Sequence, residues 1–177
     1  ATSNGPICAG STLILSASAI AGAGYSWTGP NGFSSASQNP SITNSIVSAS
    51  GSYAVTATVN GCTSPAGNTV VDVNAVPASP TTGSNSPLCE GSNILLTGSN
   101  IPGATYAWTG PNGFSSSSQN PTVSNSTFAN GGIYSVAATV NGCTSLAATQ
   151  NVVVNLIPVS PMSSSNSPLC SGSSLLL

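Results

Sequence analysis

The sequence predicts an all-β protein built from tandem sandwich repeats of 81 residues. Three observations carry that expectation. Short runs alternate apolar and polar side chains at period two, the spacing of a strand with one buried face. Clusters of Gly, Pro, Asn and Ser separate the runs and mark turns. Every landmark recurs at one fixed interval: Cys8 to Cys89, Cys89 to Cys170, Trp27 to Trp108 and Cys62 to Cys143 are each 81 residues apart, the mark of a repeat architecture.

The elements follow in chain order. TLILSA from Thr12 sets Leu13 and Leu15 on an inward face. GYSW brings a second strand to Trp27, and GPNG after it suits a tight turn in which Asn or Gly takes a positive φ. PSITNSIV from Pro40 reads as the next strand. SYAVTATV is the clearest: Tyr53, Val55, Ala57 and Val59 share one face, with Ser52, Ala54, Thr56 and Thr58 on the other. Repeat two supplies Tyr134, Val136, Ala138 and Val140 in the same places, and TVVDVNAV from Thr69 closes the set. No segment combines a helical period with caps, and several short strands at this spacing indicate a sandwich.

The units run from 1–78 and 79–159, with 160–177 opening a third, since SNSPLCSGSSLLL matches SNSPLCEGSNILL around Cys89. Leu177 stands where Leu96 does, inside an apolar run, so the chain is expected to be an excerpt of a longer array. The joints VPASP, from Val76, and IPVSP, from Ile157, are stiffened by proline, whose fixed φ favours a semi-rigid rod. A hinge or a protease site is the alternative for the same joints.

Composition removes most chemistry. There is no Lys, Arg or His in 177 residues, and Asp72 and Glu90 are the two acids. General acid/base catalysis and an activated nucleophile both need a base the chain lacks, so no enzyme is expected. Neutralising nucleic-acid phosphates needs cations, and a calcium site needs convergent carboxylates; no nucleic-acid partner, metal or cofactor is expected. At 39% hydrophobic the chain is apolar enough to fold, unlike chains kept disordered by composition. No apolar stretch reaches the ~20 residues of a membrane span, and no secretion signal opens the chain. A nearly uncharged surface favours association, and sheet edges lack the usual charged guards. With no Lys or Arg, trypsin-like proteases have nothing to cut, which suits an extracellular or cell-surface location.

An 81-residue unit has room for one small core, and units this size bury only about 60% of their unfolded surface. The cysteines offer a staple, Cys8 with Cys62 and Cys89 with Cys143, leaving Cys170 to a partner outside the chain. Closing such a loop contributes roughly 4 kcal/mol in the chain-entropy model, and paired cysteines imply an oxidising compartment. Buried free thiols are the alternative.

The Gly-x-Tyr pairs at Gly51 and Tyr53 and at Gly132 and Tyr134 look like the tyrosine corner of an immunoglobulin-type sandwich, with Trp27 at the place of the core Trp. Added to these are the C-x-G start (Cys8 to Gly10, Cys89 to Gly91), the YxW strand (Tyr25 to Trp27, Tyr106 to Trp108) and the NGCT close (Asn60 to Thr63, Asn141 to Thr144). On these residues the chain resembles the immunoglobulin-like and PKD-like repeats of large secreted, adhesin-type surface proteins of Bacteroidetes bacteria. The resemblance covers the whole chain and implies a scaffold, with no catalytic or binding set to transfer. In antibody domains the second Cys lies two residues after the corner Tyr, whereas Cys62 follows Tyr53 by nine. Either the first strand takes another path or the bond joins neighbouring repeats, Cys8 to Cys143. The resemblance implies self-contained domains and so favours the bond within a repeat.

The segment Trp27–Pro40 agrees with Trp108–Pro121 at 13 of 14 positions. As scaffold, Trp fills the core, GPNG turns the chain, and Phe33 folds over the sandwich edge. As a recognition loop, Trp27, Phe33, Trp108 and Phe114 stack on a sugar, with Asn31 and Asn112, helped by Gln38 and Asn39, as hydrogen-bond partners. Asn125 begins an NST glycosylation pattern that repeat one lacks, and a chance match is the simpler account. The function expected is a non-enzymatic stalk or extracellular fibre whose partners are neighbouring repeats or copies of itself; the alternative is a carbohydrate-binding or cell-adhesion module.

Overall fold

The structure, a computed structural model, describes residues 1–168 and 170–174. The Leu175–Leu177 run expected to continue a third repeat lies outside the described residues. In chain order the first repeat contains β1 (Thr2–Ser3), β2 (Ile7–Cys8), β3 (Leu13–Ser16), β4 (Gly24–Thr28) and β5 (Ser34–Ser35). It continues with β6 (Ser41–Ile42), β7 (Gly51–Val59), β8 (Cys62–Thr63), β9 (Gly67–Val71) and β10 (Val73–Asn74). Between Thr82 and Asn155 the second repeat runs through the same sequence of strands.

Two sheets face each other across each core. One has the order β1-β3-β6; the other runs β5-β4-β7, with β8 and β9 both paired to β7. All of these pairs are antiparallel. The alternation read from the sequence is what fills the space between them: Leu13, Leu15, Tyr53, Val55 and Val71 are buried around Trp27. Ile94, Leu96, Tyr134, Val136 and Val152 do the same around Trp108. Each fully buried Leu or Val stabilises its repeat by about 1.5–3 kcal/mol relative to exposure.

Three places depart from the simple strand pattern. PSITNSIV forms only the short β6, because Asn44 turns into the left-handed region (φ 51) and Val47–Ala49 closes a 3-10 turn. TVVDVNAV breaks at Asp72, where β9 leaves β7 and β10 turns to pair in parallel with β2. The first strand divides at Pro6, which has no N–H to give a ladder: β1 pairs with β3 in the first sheet, and β2 pairs with β10 in a two-stranded ladder of their own.

That path decides the disulfides and overturns the expected pairing within repeats. Cys8 pairs with Asn74, just past the Gly51↔Val71 end of β7, whereas Cys62 pairs with Val59 at the opposite end. A strand of that length spans roughly 27 Å, far beyond the ~7 Å that a disulfide bridges between α-carbons. Cys8 to Cys62 and Cys89 to Cys143 are therefore out of reach by the geometry of the sandwich itself. The bond formed is Cys8–Cys143, with α-carbons 5.6 Å apart, and it joins one repeat to the next.

Candidate functional site

Two places stand out, the Trp27–Pro40 segment and the junction between repeats. In the first, Trp27 and Trp108 are 0% and 1% exposed, so neither offers a face to a ligand. The Trp27 Nε1–H donates to the Gln38 carbonyl at 3.3 Å; the Trp108 Nε1 is buried with no hydrogen-bond partner. Asn31 and Gly32 both take positive φ, 55° and 71°, as do Asn112 and Gly113. The Asn31 amide donates to the Ser48 carbonyl and hydroxyl at 3.0 and 3.1 Å, and Ala129 stands where Ser48 would recur beside Asn112.

Gln38, partly buried, and Asn39, exposed, both bond to Ala17 from the same segment. The Gln38 amide donates to the Ala17 carbonyl at 2.8 Å, and the Asn39 side-chain oxygen accepts from the Ala17 N–H at 3.2 Å. Gln119 and Asn120 grip Gly98 in the same way. Phe33 packs on Tyr53 of its own repeat, and Phe114 on Tyr134. The Tyr53 hydroxyl donates to the Ala49 carbonyl and the Tyr134 hydroxyl to the Asn130 carbonyl, each at 2.9 Å. Burial pushes both phenols above their ordinary range. The two Phe rings and the Asn31, Gln38 and Asn39 side chains of the segment are thus spent on its own fold.

What remains open beside it is a groove of about 300 Å³, lined in part by Pro30, Asn31, Phe33, Ile46 and Tyr53. Ile46 is 60% exposed there.

The junction is built from the far end of repeat one and the Asn141–Gly142–Cys143 turn of repeat two. Asn141 and Gly142 take positive φ, 49° and 79°, and form a two-residue turn that sets Cys143 directly after its tip, paired with Val140. Cys143 is buried against the first repeat, whereas its counterpart Cys62 is exposed. Around the bond, the Asn74 amide donates to the Asn141 carbonyl at 3.3 Å and the Ser79 hydroxyl to the Leu146 carbonyl at 2.9 Å. Cys8 Sγ lies 3.8 Å from the Gly142 oxygen, and Cys143 Sγ 3.9 Å from the Asn74 oxygen. Asn74 and Ser79 sit in an unremarkable strand end and joint, where nothing in the sequence singles them out; the repeated NGCT is legible there as the close of each unit, not as a contact with the next. Cys62, Cys89 and Cys170 carry no disulfide.

No protein-family model and no curated protein matches the chain. Among solved structures it is similar to a chain in the crystal structure of a mouse coronavirus receptor-binding domain complexed with its murine receptor. The TM-score is 0.53 at 13% identity, over 86% of this chain and 98% of that one. That likeness joins the two facing sheets and the tyrosine corner in each repeat. The fold is immunoglobulin-like. Further similarities are to murine CEACAM1b (TM-score 0.47, 12% identity, 88% of this chain and 98% of that one) and to the amphioxus IgVJ-C2 molecule (TM-score 0.36, 17% identity, 81% and 97%). Among the described residues of this immunoglobulin-like tandem, no three His, Cys, Asp or Glu side chains gather as a metal site. No helix there is long and apolar enough to cross a membrane. The Glu90 carboxylate accepts from the Phe128 N–H at 3.2 Å, a structural use.

Proposed function

We propose that the chain is a structural repeat region of an extracellular fibre or surface-adhesin stalk, of the kind its resemblance to Bacteroidetes repeats implies, with units 1–78 and 79–159 and a third opening at 160. The observation that carries this is the Cys8–Cys143 bond, which couples one unit to the next instead of closing either unit on itself. A linker alone lets two sandwiches rotate. A disulfide placed across the joint, flanked by the Asn74 and Ser79 hydrogen bonds, gives tension a second covalent route past Ala75 to Thr81. Such a bond persists in an oxidising surrounding, which supports a location outside the cytoplasm. The absence of Lys, Arg and His supports a mechanical role over a chemical one. Electron microscopy of the native material tests the proposal: regular filaments with an axial period of one sandwich length, or a multiple of it, are expected, and dispersed particles without an axial repeat would overturn it.

A second reading, adhesion to a glycan or apolar ligand, has one observation in its favour, the open groove beside Asn31 and Ile46. Glycan-array binding that disappears in Ile46→Ala, with the circular dichroism unchanged, would favour it over the stalk.

A further inference from the structure

The junction between repeats is directional. One unit contributes its first cysteine and a strand-end Asn, Cys8 and Asn74; the next contributes an Asn-Gly-Cys turn, Asn141 to Cys143. Both half-sites recur unused at the two ends of the pair. Repeat one presents Asn60, Gly61 and Cys62, with Asn60 and Gly61 at φ 48° and 83°, nearly the values of Asn141 and Gly142. Repeat two presents Cys89 and Asn155, held side by side by the Cys89↔Asn155 pairing that matches Cys8↔Asn74. Cys62, Cys89, Asn60, Gly61 and Asn155 are all exposed. The difference in burial between Cys143 and Cys62 is the presence of a neighbouring unit and nothing in the turn itself.

From this we infer that Cys62 and Cys89 are the two halves of a disulfide joining one copy of this chain to the next, head to tail, with Asn155 donating to the Asn60 carbonyl as Asn74 does to Asn141. An interface whose two faces differ does not close on itself by two-fold symmetry and propagates in one direction. The occupant of each free half-site is therefore another copy of this 81-residue unit, either in a second chain or further along the same polypeptide. Bond formation removes two protons and two electrons and needs an oxidant, for which oxidised glutathione serves. The Cys89 thiolate attacks its disulfide and releases one glutathione thiolate; the Cys62 thiolate then attacks the Cys89 sulfur and releases the second. The inference deepens the fibre proposal by naming the bond that continues it, and rests on that proposal only for there being further units in nature.

The test uses the 177-residue chain carrying Cys170→Ser, so that the exposed tail thiol takes no part. After equilibration with oxidised glutathione at high protein concentration, non-reducing gels are expected to show a ladder of multimers, and peptide mapping an intermolecular Cys62–Cys89 link. Cys62→Ser and Cys89→Ser should each abolish the ladder while leaving the Cys8–Cys143 bond in place. Monomers with both thiols free, or Cys62–Cys62 and Cys89–Cys89 links as abundant as Cys62–Cys89, would overturn the inference. A second arm replaces residues 163–177 with one more unit copying residues 82–162, which keeps the 81-residue register; Cys89 is then expected to bond to the second cysteine of that unit within the same chain, and a free Cys89 there counts against the idea. The two proposals fail separately: native filaments that keep Cys62 and Cys89 as thiols would sink this bond and spare the fibre, whereas Cys62–Cys89 links in a protein that forms no native filaments would do the reverse.

Discussion

The Phe33 ring meets the Tyr53 ring edge-on, with centroids 5.5 Å apart and planes at 69°, and Phe114 meets Tyr134 at 5.4 Å and the same angle. Edge-to-face contact of this kind contributes about 0.5–1.5 kcal/mol beyond the area it buries. It ties the turn after β4 to the start of β7. Phe33→Leu should therefore cost repeat one about 1–2 kcal/mol by this contact and a lost part of its burial. Tyr53→Phe keeps the ring and strands the Ala49 carbonyl, a loss of about 1–2 kcal/mol. Urea denaturation followed at Trp27, in a Trp108→Phe background, measures both; no change in midpoint for either would show the corner to be idle.

Gly29 gives a sharper prediction. A Cβ there would overlap the Tyr53 ring, and the same holds for Gly110 and Tyr134. Its backbone is extended, at φ −170°, so the objection to a side chain is overlap and not backbone strain. Gly29→Ala is expected to destabilise repeat one by about 1–3 kcal/mol, as overpacking does in closed cores, whereas Gly22→Ala, with nothing within 4 Å of the added carbon, bears only the cost of its positive φ of 74°. Equal tolerance of alanine at Gly29 and at an exposed extended position would contradict the packing of the corner.

Stability should fall at alkaline pH. Tyr53 and Tyr134 are acids whose neutral form burial favours, so their folded pKa exceeds the value of 10.0 they have when unfolded. From there upward the unfolded chain releases protons that the folded chain retains, and stability declines as pH rises; below it the contribution is constant. With thiols alkylated, the melting temperature is expected to hold level up to about pH 9 and to drop above about pH 10, with a smaller drop in Tyr53→Phe, Tyr134→Phe. A curve as steep in the double variant as in the parent would assign the decline elsewhere.

Reducing the Cys8–Cys143 bond should separate the repeats without unfolding them. Neither core contains the bond, and each is assembled from its own residues. Cys8→Ser with Cys143→Ser is expected to leave near-ultraviolet circular dichroism unchanged and to broaden the distance distribution in small-angle scattering. Loss of the aromatic signal would mean instead that the bond holds the sandwiches themselves together.

The cores were readable from sequence because their information is local. Leu13 and Leu15, or Tyr53, Val55 and Ala57, are separated by one polar residue each, and that period alone assigns a face. The corner followed from Gly51 and Tyr53, with φ 140° at Gly51 and a Cβ there 2.9 Å from Pro30. The Asn44 turn was not readable, since ITNSIV alternates well enough to pass for a strand. The disulfide was unreadable for a different reason. Cys62 and Cys143 occupy equivalent places in identical NGCT settings, so nothing local tells which of them Cys8 meets; only the end of the sandwich at which each cysteine emerges decides it. The nine-residue gap after Tyr53 did hint that Cys62 lies beyond the strand end, and the loop segment shows a like contrast. The strand alternation offers Trp27 a place in the core beside its reading as a recognition residue, while the hydrogen bonds of Gln38 and Asn39 to Ala17 depend on which strand lies beside them.

The placement of the bond also bears on damage. The joint from Ala75 to Thr81, exposed apart from Pro77 and Pro80, links two compact bodies, the kind of place where proteases nick chains. Because Cys8 and Cys143 lie on either side of it, a single break in that joint leaves the two halves attached through sulfur. Severance then takes two independent lesions, one hydrolytic and one reductive, at the same joint.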